Sequence, residues 1–288
     1  MNERMTVVIA TRDRRAELLR TLKHLTAPAG EPAVIVVDNA STDGTARAVA
    51  AEFPGVQVIR LPENLGAAAR TAGVQAARTP YVAFSDDDSW WEPGALRRAA
   101  EVLDAHPRLG LVAARTLVGP ERTDDPINAA MADSPLGAAA GLPGPPVLGF
   151  LACASVVRRR AFLEAGGFDP VLFFVGEERL LAMDLAARGW GLAYVPDVVA
   201  VHEPSAHRPP SGRRLRAELR NTLLTAWMRR PARVALGETA RLAGAAARNA
   251  DARAALAGAL GRLPAALARR RRLPPHVERD VRLLETAA

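Results

Sequence analysis

Tyr81-Val-Ala-Phe-Ser-Asp-Asp-Asp88 decides the fold, because an apolar run too short for a helix ends in three consecutive carboxylates. Read as a buried strand, residues 81–84 deliver Asp86, Asp87 and Asp88 to one edge of a sheet. Upstream, residues 5–10, 33–37 and 56–60 are further apolar runs. Helical spacing separates them: Leu18, Leu19, Leu22 and Leu25 behind Asp13, then residues 45–53 and 67–77. Strands alternating with helices of that length are βαβ crossovers, so the sequence predicts an α/β fold, Rossmann-like, with a mainly parallel sheet flanked by helices. Downstream we read a helix over 93–105, a strand near 109–114, and a long irregular connection at 119–146 rich in Pro, Gly, Ala and Asp. A strand over 148–157, a helix near 159–165, a helix over 178–188 and a strand over 191–195 complete the pattern. Beyond about His207 an Ala, Leu and Arg pattern takes over, which divides the chain into a catalytic-size domain, 1–206, and a C-terminal helical appendage, 207–288.

At 288 residues there is room for one large domain and such an appendage, and not for two full-size domains. The formal charge of +7 is almost wholly arginine, since Lys23 is the only lysine. A skew of that kind reads as GC-rich coding, and with 5% aromatic residues and three acids at the ligand edge it argues against a nucleic-acid partner. Cys153 is the only cysteine, which excludes an intramolecular disulfide and a thiolate zinc site and fits a reducing, cytoplasmic compartment. No run of 18 apolar residues occurs, so the expectation is a protein that is soluble or peripheral to a membrane.

The chemistry concentrates at strand ends. Three adjacent carboxylates repel one another unless a cation offsets them, and a divalent ion such as manganese or magnesium is held by one or two carboxylates with a substrate diphosphate completing its shell. The plain alternative is a solvated acidic turn. Asp38 ends the strand at 33–37, and a carboxylate there accepts from a base N–H or from ribose hydroxyls; Asn39, Ser41, Thr42 and Asp43 also read simply as turn and cap residues. Glu177 and Glu178 open a helix, where the dipole alone accommodates acids.

Taken in order, Thr11-Arg12, Val37-Asp38-Asn39-Ala40-Ser41, Asn64-Leu65-Gly66 with Arg70, Asp86-Asp87-Asp88, Gly166-Gly167-Phe168-Asp169, Gly176-Glu177-Glu178 and His202 resemble the family-2 glycosyltransferases over about residues 5 to 205. The resemblance implies a GT-A fold and an inverting, metal-assisted transfer of sugar from a nucleoside-diphosphate sugar to an acceptor hydroxyl. It implies a donor site built from Thr11, Arg12, Asp38, Asn39, Arg70, Asp86 and Asp87. It also implies a metal held by Asp86, Asp88 and His202, and Glu178 as catalytic base beside Glu177. In the family the acid motif continues to a further Asp two residues on, where this chain has Leu180. UDP is the favoured donor nucleotide, with dTDP and GDP open; the acceptor, whether glycan, lipid-linked sugar or natural product, is unreadable. Arg269-Arg-Arg-Arg272 is a candidate contact for anionic lipid at the inner face of the membrane. Three other readings stand beside this one: a nucleotidyltransferase, although Ala10-Thr-Arg-Asp-Arg14 lacks the glycines of a phosphate loop; a catalytically silent nucleotide-sugar-binding or assembly subunit; and an arginine-rich nucleic-acid binder.

Overall fold

The computed structural model describes residues 2–27, 32–205 and 211–287. The first half alternates as the periodicity predicts: β1 (Asn2–Thr11), α1 (Arg15–Thr26), β2 (Pro32–Asp38), α2 (Thr45–Glu52), β3 (Gln57–Arg60), α3 (Ala69–Ala76) and β4 (Tyr81–Ser85). There follow β5 (Ser89–Trp91), α4 (Ala95–Ala105), β6 (Leu109–Val118), β7 (Thr123–Asp124), α5 (Pro126–Ala132), β8 (Ser155–Arg158), α6 (Arg159–Ala165), α7 (Glu177–Ala187) and β9 (Gly191–His202). One sheet runs in the order β3-β2-β1-β4-β8-β6-β9-β5, with β7 attached to β6. It is parallel from β3 to β4, turns antiparallel at β8, and is parallel again between β6 and β9. Two apolar layers cover its faces. Leu18, Leu22, Leu96, Ala99 and Leu103 lie over one, and Val74, Phe162, Phe168, Leu181 and Leu185 over the other.

Three expectations are corrected. The connection at 119–146 is not wholly irregular. Asp125 caps α5 by accepting from the Ile127 N–H at 3.0 Å, and Asn128 bonds both backbone groups of Thr116, at 2.9 and 2.8 Å. A seven-residue helix is too short to show a period in sequence. The segment before β8 is a 3-10 turn at Ala152–Ala154 instead of strand, and β9 runs on to His202 because Val198, Ala200 and Val201 continue the buried pattern past the exposed Pro196-Asp197.

The C-terminal part is helical as read: α8 (Ser211–Arg229), α9 (Ala232–Ala246), α10 (Ala250–Ala268) and α11 (Pro275–Ala287). The expected division at 206/207 lies outside the described residues. Leu223, Leu224 and Met228 of α8 join Leu242 of α9 and Ala252, Ala255 and Ala259 of α10 in a cluster that also takes in Val171, Leu172 and Leu180. Burial of apolar area of this kind contributes about 1.5–3 kcal/mol per large side chain. Two buried ion pairs fix the end of α8. Arg229 is bidentate to Asp184 of α7 at 2.5 and 2.8 Å, and Arg230 bonds Glu278 and Glu285 of α11 at 2.7 Å each. The appendage is thereby bolted to the back of α7. In the 269–272 run, Arg269 lies 3.6 Å from Asp169 and Arg270 bonds the carbonyls of Trp227 and Arg230, so Arg271 and Arg272 alone of the four are exposed without an acid partner among the described residues. No helix among the described residues is long and apolar enough to cross a membrane.

Candidate active site

Register builds the site. β1 pairs with β2 at Thr11↔Asp38 and with β4 at Ile9↔Ser85, which levels three strand ends and puts Thr11, Asp38 and the acid triplet on one edge. Open α/β sheets bind ligands there. Thr11 Oγ1 donates to Asp87 Oδ2 at 2.8 Å, and Thr21 Oγ1 donates to the Asp87 carbonyl at 2.8 Å. Burial raises the Asp87 carboxyl to about 7, against the pull of the Arg14 guanidinium. Arg14 Nε lies 2.9 Å from Asp87 Oδ1 without hydrogen-bond alignment, while Arg14 Nη2 donates to Asp88 Oδ2 at 2.8 Å. Arg12 instead stays at the surface, 3.4 Å from Asp13. Arg14 is thus a site residue that sequence reading passes over, and its only signal is an arginine at the start of the helix that follows β1.

Asp38 is buried and accepts from the Ser41 N–H at 2.9 Å. Asn39 points to the next turn, its Nδ2 donating to the Gly66 carbonyl at 3.1 Å and its Oδ1 accepting from the Leu65 N–H at 2.8 Å. The Asn64-Leu65-Gly66 turn in its place meets Phe173, whose carbonyl accepts from the Ala67 N–H at 2.7 Å. Only glycine fits at 66, since a Cβ there lies 2.1 Å from the Phe173 oxygen and φ is +60°.

Arg70, carried on α3, is buried between the acid triplet and the acid pair. Its Nη2 pairs with Asp86 Oδ1, and its guanidinium lies 5.8 Å from the Phe168 ring centroid. Burial opposes the charge, but the carboxylates of Asp86 and Glu177 outweigh it and Arg70 is held firmly protonated. Phe168 reaches this position through Gly167, where a Cβ meets Thr71 Oγ1 at 2.7 Å and φ is +72°. Glu177 and Glu178 stand in the first turn of α7, after Gly176 at φ +86°. Glu177 is 2% exposed and its Oε2 has no partner; burial, then the neighbouring Glu178, raises its carboxyl to about 8 despite Arg70. Glu178 keeps part of its surface open to solvent, yet removal from water raises it too, opposed by backbone N–H groups and Arg70 and reinforced by Asp86. Asp86, Arg70, Glu177 and Glu178 therefore form one electrostatically linked group.

The metal expectation was Asp86, Asp88 and His202. Among the described residues no three His, Cys, Asp or Glu side chains converge closely enough to hold an ion. Asp86 faces Arg70, while β5 and β9 pair at Ser89↔His202 and bring His202 Nε2 to 3.4 Å from Asp88 Oδ1. Burial works to raise Asp88, but His202, the Ser205 N–H and Arg14 hold it below its ordinary value. A two-ligand protein contribution from Asp88 and His202 fits a magnesium or manganese ion that takes its remaining ligands from a diphosphate and water.

Leu180 is 1% exposed, packed under α8 with Leu172, Leu223 and Leu224. The position that carries an acid in the family resemblance is here part of the apolar seam with the appendage.

A sheet edge with Asp38 and the acid triplet, facing an arginine-linked pair of glutamates, defines a transferase of the GT-A fold class. Residues 6–166, more than half of the chain, match the model of glycosyl transferase family 2, and the chain belongs to that family and is a glycosyltransferase. It is 27% identical over 275 residues to the N-acetylglucosaminyl-diphospho-decaprenol L-rhamnosyltransferase of Mycobacterium tuberculosis, covering 81% of this chain and 89% of that one. It is also 34% identical over 212 residues to the pre-mycofactocin glycosyltransferase of the same organism, covering 69% of this chain and 42% of that one. Among solved structures, the mannosyltransferase PcManGT from Pyrobaculum calidifontis, in complex with GDP-Man and Mn2+, superposes with a TM-score of 0.58 at 23% identity, covering 99% of this chain and 79% of that one. S. aureus TarS 1-349 with UDP-GlcNAc gives 0.60 at 18% identity, covering 95% and 82%.

Proposed function

We propose that the protein transfers a sugar from a nucleoside-diphosphate sugar to an acceptor hydroxyl with inversion at the anomeric carbon. The observation that carries this reading is the buried Arg70, which links Asp86 at the donor edge to Glu177 and Glu178 at the acid helix. Asp38 and Thr11 lie where base and ribose bind in such folds, and Asp86 and Asp87 border the ribose and diphosphate. Asp88 and His202 are the residues that would hold a divalent ion, which would supply Lewis-acid neutralisation of the charge gathering on the departing diphosphate. Glu178 accepts the proton of the acceptor hydroxyl as that oxygen attacks the anomeric carbon from the face opposite the leaving diphosphate. Arg70 opposes the burial that raises both acids without cancelling it, so Glu177 holds its proton more readily than an ordinary carboxyl. One displacement with one base inverts the centre.

The mycobacterial rhamnosyltransferase, by its name, acts on a decaprenol-linked sugar, which favours a lipid-linked sugar as acceptor here, with UDP, dTDP or GDP donors to be distinguished by assay. Contact with the inner face of the cytoplasmic membrane is part of this reading, resting on the exposed Arg271 and Arg272. Arg271→Ser with Arg272→Ser is expected to reduce co-sedimentation with anionic vesicles; equal binding by both proteins removes that contact. A second reading is a nucleotide-sugar-binding subunit without turnover, favoured by the burial of Leu180 in place of an acid. Nucleotide release from a panel of UDP-, GDP- and dTDP-sugars, with a lipid-linked sugar supplied as acceptor, separates the two, since the enzyme releases nucleotide and a binding subunit binds without releasing any.

A further inference from the structure

The chain reaches the acid pair through a loop in an unfavourable conformation. Phe173 and Val175 both lie in the left-handed region, at φ +66° and +71°, and Gly176 follows at +86°. A β-branched residue at positive φ is a strained one, and such a backbone persists only where its surroundings hold it. One amide supplies three of the side-chain hydrogen bonds that hold it. Asn221, buried on α8 at 1% exposure, directs Nδ2 at three carbonyls of this loop: Leu172 at 2.9 Å, Phe174 at 2.8 Å and Val175 at 2.6 Å. Its orientation is fixed from the other side, where Oδ1 accepts from Arg220 Nε at 2.9 Å. That contact leaves the two amide hydrogens to be shared among the three carbonyls. Arg220 Nη2 and Arg262 Nη1 bond the neighbouring carbonyls of Leu172 and Val171 at 3.2 and 3.0 Å. The opposite side of the loop is held by the Ala67 N–H against Phe173.

We propose that Asn221 is a positioning residue for sugar transfer: by holding the 172–176 backbone it sets where the first turn of α7 places Glu178 relative to Arg70 and Asp86. This rests on the assignment of Glu178 as base. The C-terminal appendage, which lies outside the matched family segment, thereby completes the active site from behind. The requirement is chemical and narrow. An aspartate puts an oxygen among three carbonyl oxygens, and a leucine fills the space without donating.

The test compares wild type, Asn221→Leu, and Asn221→Leu combined with Val175→Gly, in which glycine adopts the left-handed conformation without a donor to hold it. Nucleotide release from UDP-GlcNAc, GDP-mannose and a dTDP-sugar, with a lipid-linked sugar as acceptor, supplies kcat and KM, and amide hydrogen exchange supplies the state of residues 172–178 whether or not the protein turns over. Displacement of a catalytic group by about an ångström lowers rates on the order of 100-fold, so Asn221→Leu is expected to lower kcat by about that factor with donor KM changed less than about threefold. Exchange across 172–178 is expected to speed up about tenfold or more while β1 and β4 are unchanged. Val175→Gly in the leucine background is expected to recover most of the lost kcat, which a general loss of stability does not permit. Unchanged exchange in Asn221→Leu overturns the proposal, as does faster exchange with kcat intact, or a kcat loss that glycine at 175 leaves untouched. If wild type releases no nucleotide from any donor, the sugar-transfer reading fails by itself, and unchanged exchange still disposes of the hold that Asn221 exerts.

Discussion

Leu180→Asp restores the acid of the family motif and, on this structure, ruins the protein. Leu180 is 1% exposed and packs with Val171, Leu172, Leu223, Leu224 and Met228. Loss of the isobutyl group alone costs about 2–4 kcal/mol in transfer and cavity terms. Burying a carboxyl in this apolar seam without a hydrogen bond adds about 1–3 kcal/mol even when it is protonated. The sum is about 5 kcal/mol, which for a chain of this size lowers Tm by about 10 °C or more. Charge makes it worse. A buried acid has a folded pKa above its unfolded one, so the destabilisation grows as pH rises through that interval, and the deficit against wild type is larger at pH 8 than at pH 5. Thermal and urea melts of wild type, Leu180→Ala and Leu180→Asp at both pH values measure it, with alanine expected to be the milder. A Leu180→Asp protein melting within 2 °C of wild type, or one destabilised equally at the two pH values, refutes the buried seam between α7 and α8 and reopens position 180 as an acceptor-binding site.

Glu178→Gln is expected to lower kcat by about 10²–10⁴ while leaving nucleotide-induced stabilisation in place, read by nucleotide release and melting shift on one preparation; full turnover removes Glu178 from the role of base. Glu177 titrates at about 8 in the folded chain against an ordinary 4.5, so the folded state binds the extra proton and stability falls as pH rises from about 4.5 to about 8. Glu177→Gln is therefore expected to narrow that fall, gaining on the order of 4 kcal/mol at pH 8 and less than about 1 kcal/mol at pH 5 in urea titrations. Arg229→Met leaves the buried Asp184 without its bidentate partner and is expected to cost about 3–5 kcal/mol, most of it recovered by adding Asp184→Leu.

The sheet was legible because its signals are local. The runs at 5–10, 33–37 and 81–84 alternate with amphipathic helices, and each ends in the polar residues that mark an edge. Asp38, Asp86 and Asp88 could be placed there from position alone. What escaped was set by pairings across long separations. The short β5 has no period of its own, yet its pairing with β9 is what carries His202 to Asp88, 114 residues away in sequence. Arg14 escaped since nothing local distinguishes it from Arg12 or Arg15, and the carboxylates that hold it lie in the turn between β4 and β5, more than seventy residues on. The arginine run at 269–272 looked uniform in sequence, but Arg270 turns inward to the carbonyls at the end of α8, a role that depends on how α10 returns across α8. Asn221 carried no sequence signal, because its partners are backbone carbonyls nearly fifty residues earlier.

The proposed donor site runs along the edge of Asp38, Asp86 and Asp88 and takes a nucleotide sugar together with a divalent ion. Thermal stabilisation by UDP, GDP, dTDP and their sugars, each with manganese, with magnesium and with chelator, in wild type and in Asp88→Ala, tests it most directly. We expect one nucleotide to raise Tm in wild type only when metal is present, and Asp88→Ala to abolish that shift. Absence of any shift in wild type under every metal condition contradicts the account, and an unchanged metal-dependent shift in Asp88→Ala contradicts the assignment of the ion.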